Sequence, residues 1–168
     1  MSDNNTKYPI DDKNYRYQIA LKSMNVGTWE WNIQTDELIF DDRYAEMLGY
    51  QKEELLPATV DLWRKLIHED DLQKALDEID NHFQSHTEYY DIEFWLRHKD
   101  GNHIWVLSKC RVTEFDENGY PLKMFGAHLD ITDSKTLEKI NLSTKYNNLI
   151  KNAPYPVIVT NYKTGLVT

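Results

Sequence analysis

Histidine, cysteine and carboxylate side chains are the groups in this chain that could hold a metal or move a proton. His82 and His86 stand at the i, i+4 spacing that aligns two side chains on one helical face, where they could share a ligand. They lie on and after an apolar helical stripe, His82 on its flank, and a solvated polar pair is the reading those positions favour. His68 opens the acid-rich helix start His68-Glu-Asp-Asp71 and is read as a hydrogen-bonding residue. No Cys/His spacing supplies the convergent ligands of a zinc site. Cys110 sits between Lys109 and Arg111, cations that could lower a thiol pKa. In a strand, however, neighbours in sequence point to opposite faces, so Cys110 reads as structural. The carboxylates cluster in Asp36-Glu37, Asp41-Asp42, Glu53-Glu54 and Glu69-Asp70-Asp71, which are turns and helix starts. No nucleophile with a base and an orienting group can be assembled, and no glycine-rich phosphate loop is present. There is also no histidine after His128 to accept a phosphoryl group. The expectation is that the chain is not an enzyme.

Aromatic residues are the remaining candidates for specific binding. Trp29, Trp31, Phe40, Tyr44, Trp63, Phe83, Phe94, Trp95, Trp105 and Phe125 exceed the needs of a small core, so some strand aromatics are expected on an outer sheet face. The 168 residues, 40% hydrophobic and 12% aromatic, suffice for one packed domain with an appendage. A net charge of −9 without any Lys/Arg run disfavours nucleic acid. No apolar run reaches membrane-spanning length, and the polar start Met-Ser-Asp-Asn-Asn-Thr-Lys lacks the apolar centre of a signal peptide. One cysteine permits no internal disulfide. A soluble cytoplasmic protein is expected.

The elements that must position these residues can be read from periodicity. Residues 1–14 form a polar leader. Tyr15 to Met24 has helical spacing, then Gly27 opens a strand in which Trp29, Trp31 and Ile33 alternate. Leu38 to Phe40 is a second short strand. Asp41 or Asp42 can cap a helix through Leu48, closed by Gly49 in a left-handed position. Leu72, Ala75, Leu76, Ile79 and Phe83 then share one helical face. Tyr89 to Arg97, His103 to Phe115 and Leu122 to Leu129 are long strands, separated by turns that contain Asp100-Gly101 and Asn118-Gly119. Strands at both ends with helices between predict an α+β domain whose sheet is covered on one face.

Gly27-x-Trp29-x-Trp31-Asn32, Leu48-Gly49-Tyr50, His68-x-Asp70-Asp71, Asp100-Gly101, Trp105 and Asp130-Ile131-Thr132 occur in this order. Together they resemble a PAS domain with its PAC segment, of the subfamily with Trp-x-Trp in the first strand, across residues 15–132. Glu69 stands where the family usually has proline, and Asn32 where it often has aspartate. The resemblance implies a five-stranded antiparallel sheet in the order 2-1-5-4-3, helices over one face, and flanking N- and C-terminal helices. It also implies a cavity between sheet and helices, with Phe40, Leu48, Ile67, Phe83 and Phe94 expected nearest to it. Some PAS domains hold haem through a histidine on the helix corresponding to 72–83, but the polar reading of His82 and His86 ranks a haem gas or redox sensor low. Covalent flavin needs an Asn-Cys-Arg-Phe-Leu-Gln-like segment, which is absent. No cofactor is required by the sequence.

By this resemblance the chain is the sensory part of a signal-transduction protein, with a small-molecule ligand or a partner as input. Its output, a diguanylate cyclase or a two-component histidine kinase, would lie downstream in the same protein. The alternative is a dimerisation and interaction module that senses nothing. Asp130 and Thr132 are expected to form the joint between the last strand and a signalling helix over 133–152, with Asp133 near the positive end of its dipole. Tyr17, Leu21 and Met24, with Leu137 and Ile140, are expected to make a modest homodimer through the flanking helices. Finally, at an offset of 129 residues (161 − 32), Tyr17 meets Tyr146, Leu21 meets Ile150, Asn32 meets Asn161 and Thr35 meets Thr164. Residues 153–168 therefore read as the truncated start of a second PAS domain.

Overall fold

A computed structural model of the protein describes residues 13–85 and 87–151. The elements run α1 (Lys13–Ser23), β1 (Val26–Asn32), β2 (Leu38–Phe40), α2 (Asp42–Met47), a 3-10 turn (Lys52–Leu55), α3 (Val60–Leu66), α4 (Glu69–Ser85), β3 (Tyr90–Arg97), β4 (His103–Phe115), β5 (Pro121–Asp130) and α5 (Thr132–Lys151). The strands form one antiparallel sheet in the order β2-β1-β5-β4-β3, as the resemblance implies. The chain divides into two compact units at Thr132/Asp133.

Alternation along the long strands decides which face is covered. Tyr90, Ile92, Phe94 and Leu96 are buried in β3, as are Val106, Ser108, Cys110 and Val112 in β4. Met124, Gly126 and His128 share the same inward face of β5. Lys109 and Arg111 face outward and are exposed, so Cys110 is buried away from both, as the strand period requires. The outer face keeps aromatics too: Trp95 and Trp105, paired in register, meet edge to face with centroids 4.4 Å apart. Phe125, in register with Arg111 further along β4, is also exposed on that face.

Turn chemistry fixes the register of the hairpins. Gly101 and Gly119 have φ of +90° and +83°, conformations that glycine adopts without steric cost. Asp100 and Asp116 accept backbone N–H groups of the residues that follow them, Asn102 and Asn118, at 2.9 and 2.8 Å.

Side-chain caps dock the helices on the sheet. Asp41 is the N-cap of α2, accepting from Tyr44 N–H at 2.9 Å. Its other oxygen accepts from the backbone and hydroxyl of Thr28 in β1, at 3.0 and 2.7 Å. Gly27 makes the close approach possible, since a Cβ there would stand 2.7 Å from the Tyr44 Cα. At the start of α4, His68 Nδ1 accepts from Asp70 N–H at 3.2 Å, and Asp71 accepts from Trp95 N–H of β3 at 2.8 Å. His68 thus has the hydrogen-bonding role expected of it.

His82 corrects the sequence reading. It is not on the surface: only 5% of it is exposed, its Nδ1 lies 2.6 Å from Thr87 Oγ1, and its ring is tilted over Tyr90. The reason is that α4 turns Ala75 and His82, two helical turns apart, toward the same sheet edge. His86, residues 1–12 and the segment 152–168 lie outside the described residues.

Candidate functional site

Between the sheet and the helices lies a cavity of about 110 Å³. The sheet contributes Trp29 and Trp31 from β1, Leu38 from β2, Tyr90 and Phe94 from β3, Ser108 and Cys110 from β4, and Met124 and His128 from β5. Tyr44 of α2 closes one end. Val60 and Trp63 of α3, with Leu76, Ile79 and Phe83 of α4, form the opposite wall. The charged lining residues, Arg64 of α3 and Asp80 of α4, are both exposed, so the cavity reaches solvent between these two helices.

The β1 tryptophans reach the cavity because of a missing side chain. Trp29 is in register with Gly126 of β5, where a Cβ would stand 2.5 Å from the Trp29 ring and 2.6 Å from the Cys110 Cβ. Glycine at 126 lets the indole lie across the neighbouring strand. Trp31, two residues on and thus on the same face, packs against Phe83 with centroids 6.2 Å apart.

His128 stands among three rings: Tyr44 at 5.1 Å, Phe94 at 5.6 Å and Trp29 at 5.7 Å between centroids. It is 2% exposed, and its Nδ1 has no hydrogen-bond partner among the described residues. Burial pushes its pKa down to about 3, so the imidazole is neutral at ordinary pH. The Nε1 atoms of Trp29 and Trp31 are likewise buried without partners. Cys110 is a free thiol pushed up to about 12 by burial, partly offset by a hydrogen bond with Ser108. Burial also raises the Tyr44 and Tyr90 hydroxyls above their usual range. The inner walls therefore carry polar atoms on uncharged side chains, with the charged residues Arg64 and Asp80 at the exposed mouth. Among the described residues no group of His, Cys, Asp and Glu could hold a metal ion.

Of the residues expected nearest the cavity, Phe83 and Phe94 line it. Phe40, Leu48 and Ile67 do not; they are packed solid in the core. Phe40 stacks on Tyr44 at 4.8 Å, while Ile67 is bridged to Leu96 of β3. The free space lies instead toward β4 and β5. Ser108, Cys110, Met124 and His128 were missed as lining residues, although their even spacing, two residues in β4 and four in β5, carried the signal.

At the end of β5 the expected joint residues meet. The backbone N–H of Trp105 donates to Thr132 Oγ1 at 2.8 Å, and Ile131 N–H donates to the Trp105 carbonyl at 2.8 Å. Thr132 in turn donates from its N–H and hydroxyl to Asp130 Oδ1, at 2.9 and 2.5 Å. Thr132 is thus the first residue of α5 and its hydroxyl accepts a β4 amide. Tyr17 and Leu21 of α1 and Met24 just after its end are exposed, and so are Leu137 and Ile140 of α5. No helix among the described residues is long and apolar enough to cross a membrane.

Comparison with known proteins places this geometry. A family model described as PAS fold matches residues 37–128, more than half of the chain. The sensor protein FixL of Bradyrhizobium diazoefficiens is 23% identical over 133 residues, a match covering 79% of this chain. The chain spans 26% of that relative's length. A sensory box histidine kinase/response regulator from Burkholderia thailandensis E264 superposes with a TM-score of 0.67 and 26% identity, over 81% of this chain and 98% of that one. The N-terminal domain of a diguanylate cyclase with PAS/PAC sensor from Marinobacter aquaeolei has the same fold. It gives a TM-score of 0.58 at 18% identity, over 66% of this chain and 98% of that one.

Proposed function

The chain belongs to the PAS fold family, and from that premise we propose that it is a cytoplasmic sensory module whose cavity takes a small ligand. Occupancy is passed through the Asp130–Thr132 joint and α5 to an output domain, a diguanylate cyclase or histidine kinase, in the same protein. The observation that carries this reading is the shared use of β4 and β5. Ser108 and His128, paired in register, line the cavity, and two residues further along Val106 pairs with Asp130 at the joint. Relatives named as a sensor protein, a sensory box histidine kinase and a cyclase sensor support the role.

The same reading places the chain in the Trp29-x-Trp31 subfamily, takes the strands through Thr132 as its PAC segment, and takes residues 153–168 as the start of a second PAS domain. Its cavity volume favours a compact occupant over a tetrapyrrole, since pockets for drug-sized ligands run to about 300–1,000 Å³. Amide hydrogen exchange is the test. Filling the cavity, by benzene or by Ser108→Leu, should change exchange at Ile131 to Ser134. An unchanged pattern with the cavity demonstrably filled would refute transmission through the joint.

A second reading, dimerisation without sensing, is favoured by one observation. Tyr17, Ile19 and Leu21 of α1 and Met24 just after it are exposed, as are Leu137, Ile140, Leu142 and Tyr146 of α5. A homodimer through these helices is compatible with sensing as well. Sedimentation at high concentration that shows monomer alone would remove it.

A further inference from the structure

Resting on the ligand-sensing reading above, we propose that the cavity takes an uncharged, flat molecule no larger than about benzene that carries a hydrogen-bond acceptor. Deprived of that reading, the chamber would be no more than a packing fault.

The acceptor follows from the unpartnered donors. Trp29 and Trp31 both line the cavity, and the Nε1 of each is buried without a partner. An indole nitrogen can only donate. Buried tryptophans usually find a partner for it, because an unsatisfied buried donor is costly. Two such donors, on residues of one β1 face that line a common chamber, favour an acceptor on the occupant, reached by a small turn of each indole because neither nitrogen is itself open to the free space. His128 Nδ1, equally unpartnered, offers a third polar contact whose sense depends on the tautomer.

The lack of charge follows from the walls. The charged lining residues are at the exposed mouth, where Arg64 is already 2.8 Å from Asp61. An ion held among the rings, away from the mouth residues Arg64 and Asp80, would lose its water without a paired counter-charge, which burial penalises heavily. His128, held neutral among Trp29, Tyr44 and Phe94, cannot supply one.

Size and shape follow from volume and lining. An apolar cavity of about 150 Å³ is known to hold benzene, and this one is about 110 Å³. Trp29, Trp31, Tyr44, Phe83 and Phe94 present ring faces and edges, which a planar occupant contacts better than a branched one. Water accepting from the two indoles is the competing occupant.

Three molecules built on one six-membered ring separate these possibilities: benzene, pyridine and N-methylpyridinium, titrated into the chain at neutral pH. Pyridine should bind and move the Trp29 and Trp31 indole N–H resonances downfield; benzene should bind without that shift. N-methylpyridinium should not bind. In the double variant Trp29→Phe with Trp31→Phe, the preference for pyridine relative to benzene should fall about tenfold, the worth of a buried hydrogen bond. Binding of both neutral rings with an unchanged preference in the variant overturns the acceptor proposal and leaves a sensing cavity standing. Binding of the cation as tightly as pyridine overturns the exclusion of charge. Binding of neither neutral ring overturns the proposal together with the ligand-sensing reading. Should the double variant not fold, the indole resonances of the unaltered chain decide alone: no downfield shift with bound pyridine overturns the proposal.

Discussion

Acidification should destabilise this domain through one residue. His128 titrates at about 3 in the folded chain, because burial penalises its charged form, against an ordinary value of 6.5. Below 6.5 the unfolded chain binds a proton that the folded chain refuses, so unfolding becomes easier as pH falls. The stability is fully present above 6.5 and is lost downward through the window to about 3. The slope is about 1.4 kcal/mol per pH unit for one proton, hence about 2 kcal/mol between pH 6.5 and about 5. An opposing effect exists. Protonated His128 would face the Tyr44 ring, and a cation–π contact there is worth about 0.5–2 kcal/mol. It offsets only part of the burial penalty, which holds the folded-state value at about 3 against 6.5. Tyr44 and Cys110 stay neutral throughout the window. The assay is urea unfolding of the native chain and of His128→Phe at several pH values from neutrality to about 5. Groups common to both chains cancel in the difference, which should grow in favour of the variant by about 1–2 kcal/mol over the window. Parallel stability curves would show that His128 is protonated in place and would refute the burial argument.

Gly27→Ala should cost about 1–3 kcal/mol in thermal or urea unfolding, since its Cβ would meet the α2 backbone at 2.7 Å and α2 must move. Asp41→Ala removes a helix cap and the two bonds from Thr28, and should cost about 2 kcal/mol by the same measurement. Cys110, buried with its thiol pushed up to about 12, should resist iodoacetamide at neutral pH and react once the chain is unfolded. Asp130→Ala or Thr132→Ala should loosen the start of α5 by about 1 kcal/mol and raise amide exchange at Ile131 and Trp105, with the rest of the sheet unaffected.

What could be read in advance depended on the range of the physics involved. Strands Leu38–Phe40 and His103–Phe115 have the bounds that alternation gave them, and Gly49, Gly101 and Gly119 take the positive φ expected of turn and cap glycines. These features are local. The cavity is not, because its position is the residue of packing left over by side chains from eight elements. Phe40 and Ile67 were plausible neighbours of free space on the sheet's covered face, but Tyr44 and Leu96 fill it there. His82 looked polar on a helical wheel alone, and only the proximity of Tyr90 shows why it is buried. His128 was legible in principle. It follows Met124 and Gly126 by the strand period, so a buried imidazole could have been read from β5 once its inward face was assigned.

The proposed coupling of cavity to joint is a matter of short distances and comparable energies. From the Ser108–His128 rung to the Val106–Asp130 rung is two residues, about 7 Å of strand. Between them the ladder leaves little slack, since neighbouring strands hold one another at hydrogen-bonding distance. On this proposal an occupant that moves His128 also shifts Asp130, whose carboxylate accepts from both donor groups of Thr132. Coupling between sites is typically about 1–3 kcal/mol, and each hydrogen bond that Asp130 and Thr132 make where α5 begins is worth about 1 kcal/mol. On this proposal a ligand with that differential affinity makes or breaks such bonds without unfolding the sheet. The proposed coupling thus asks for a joint weak enough to be switched and close to the cavity, and the end of β5 at Asp130 fits both better than its far end beside Lys123.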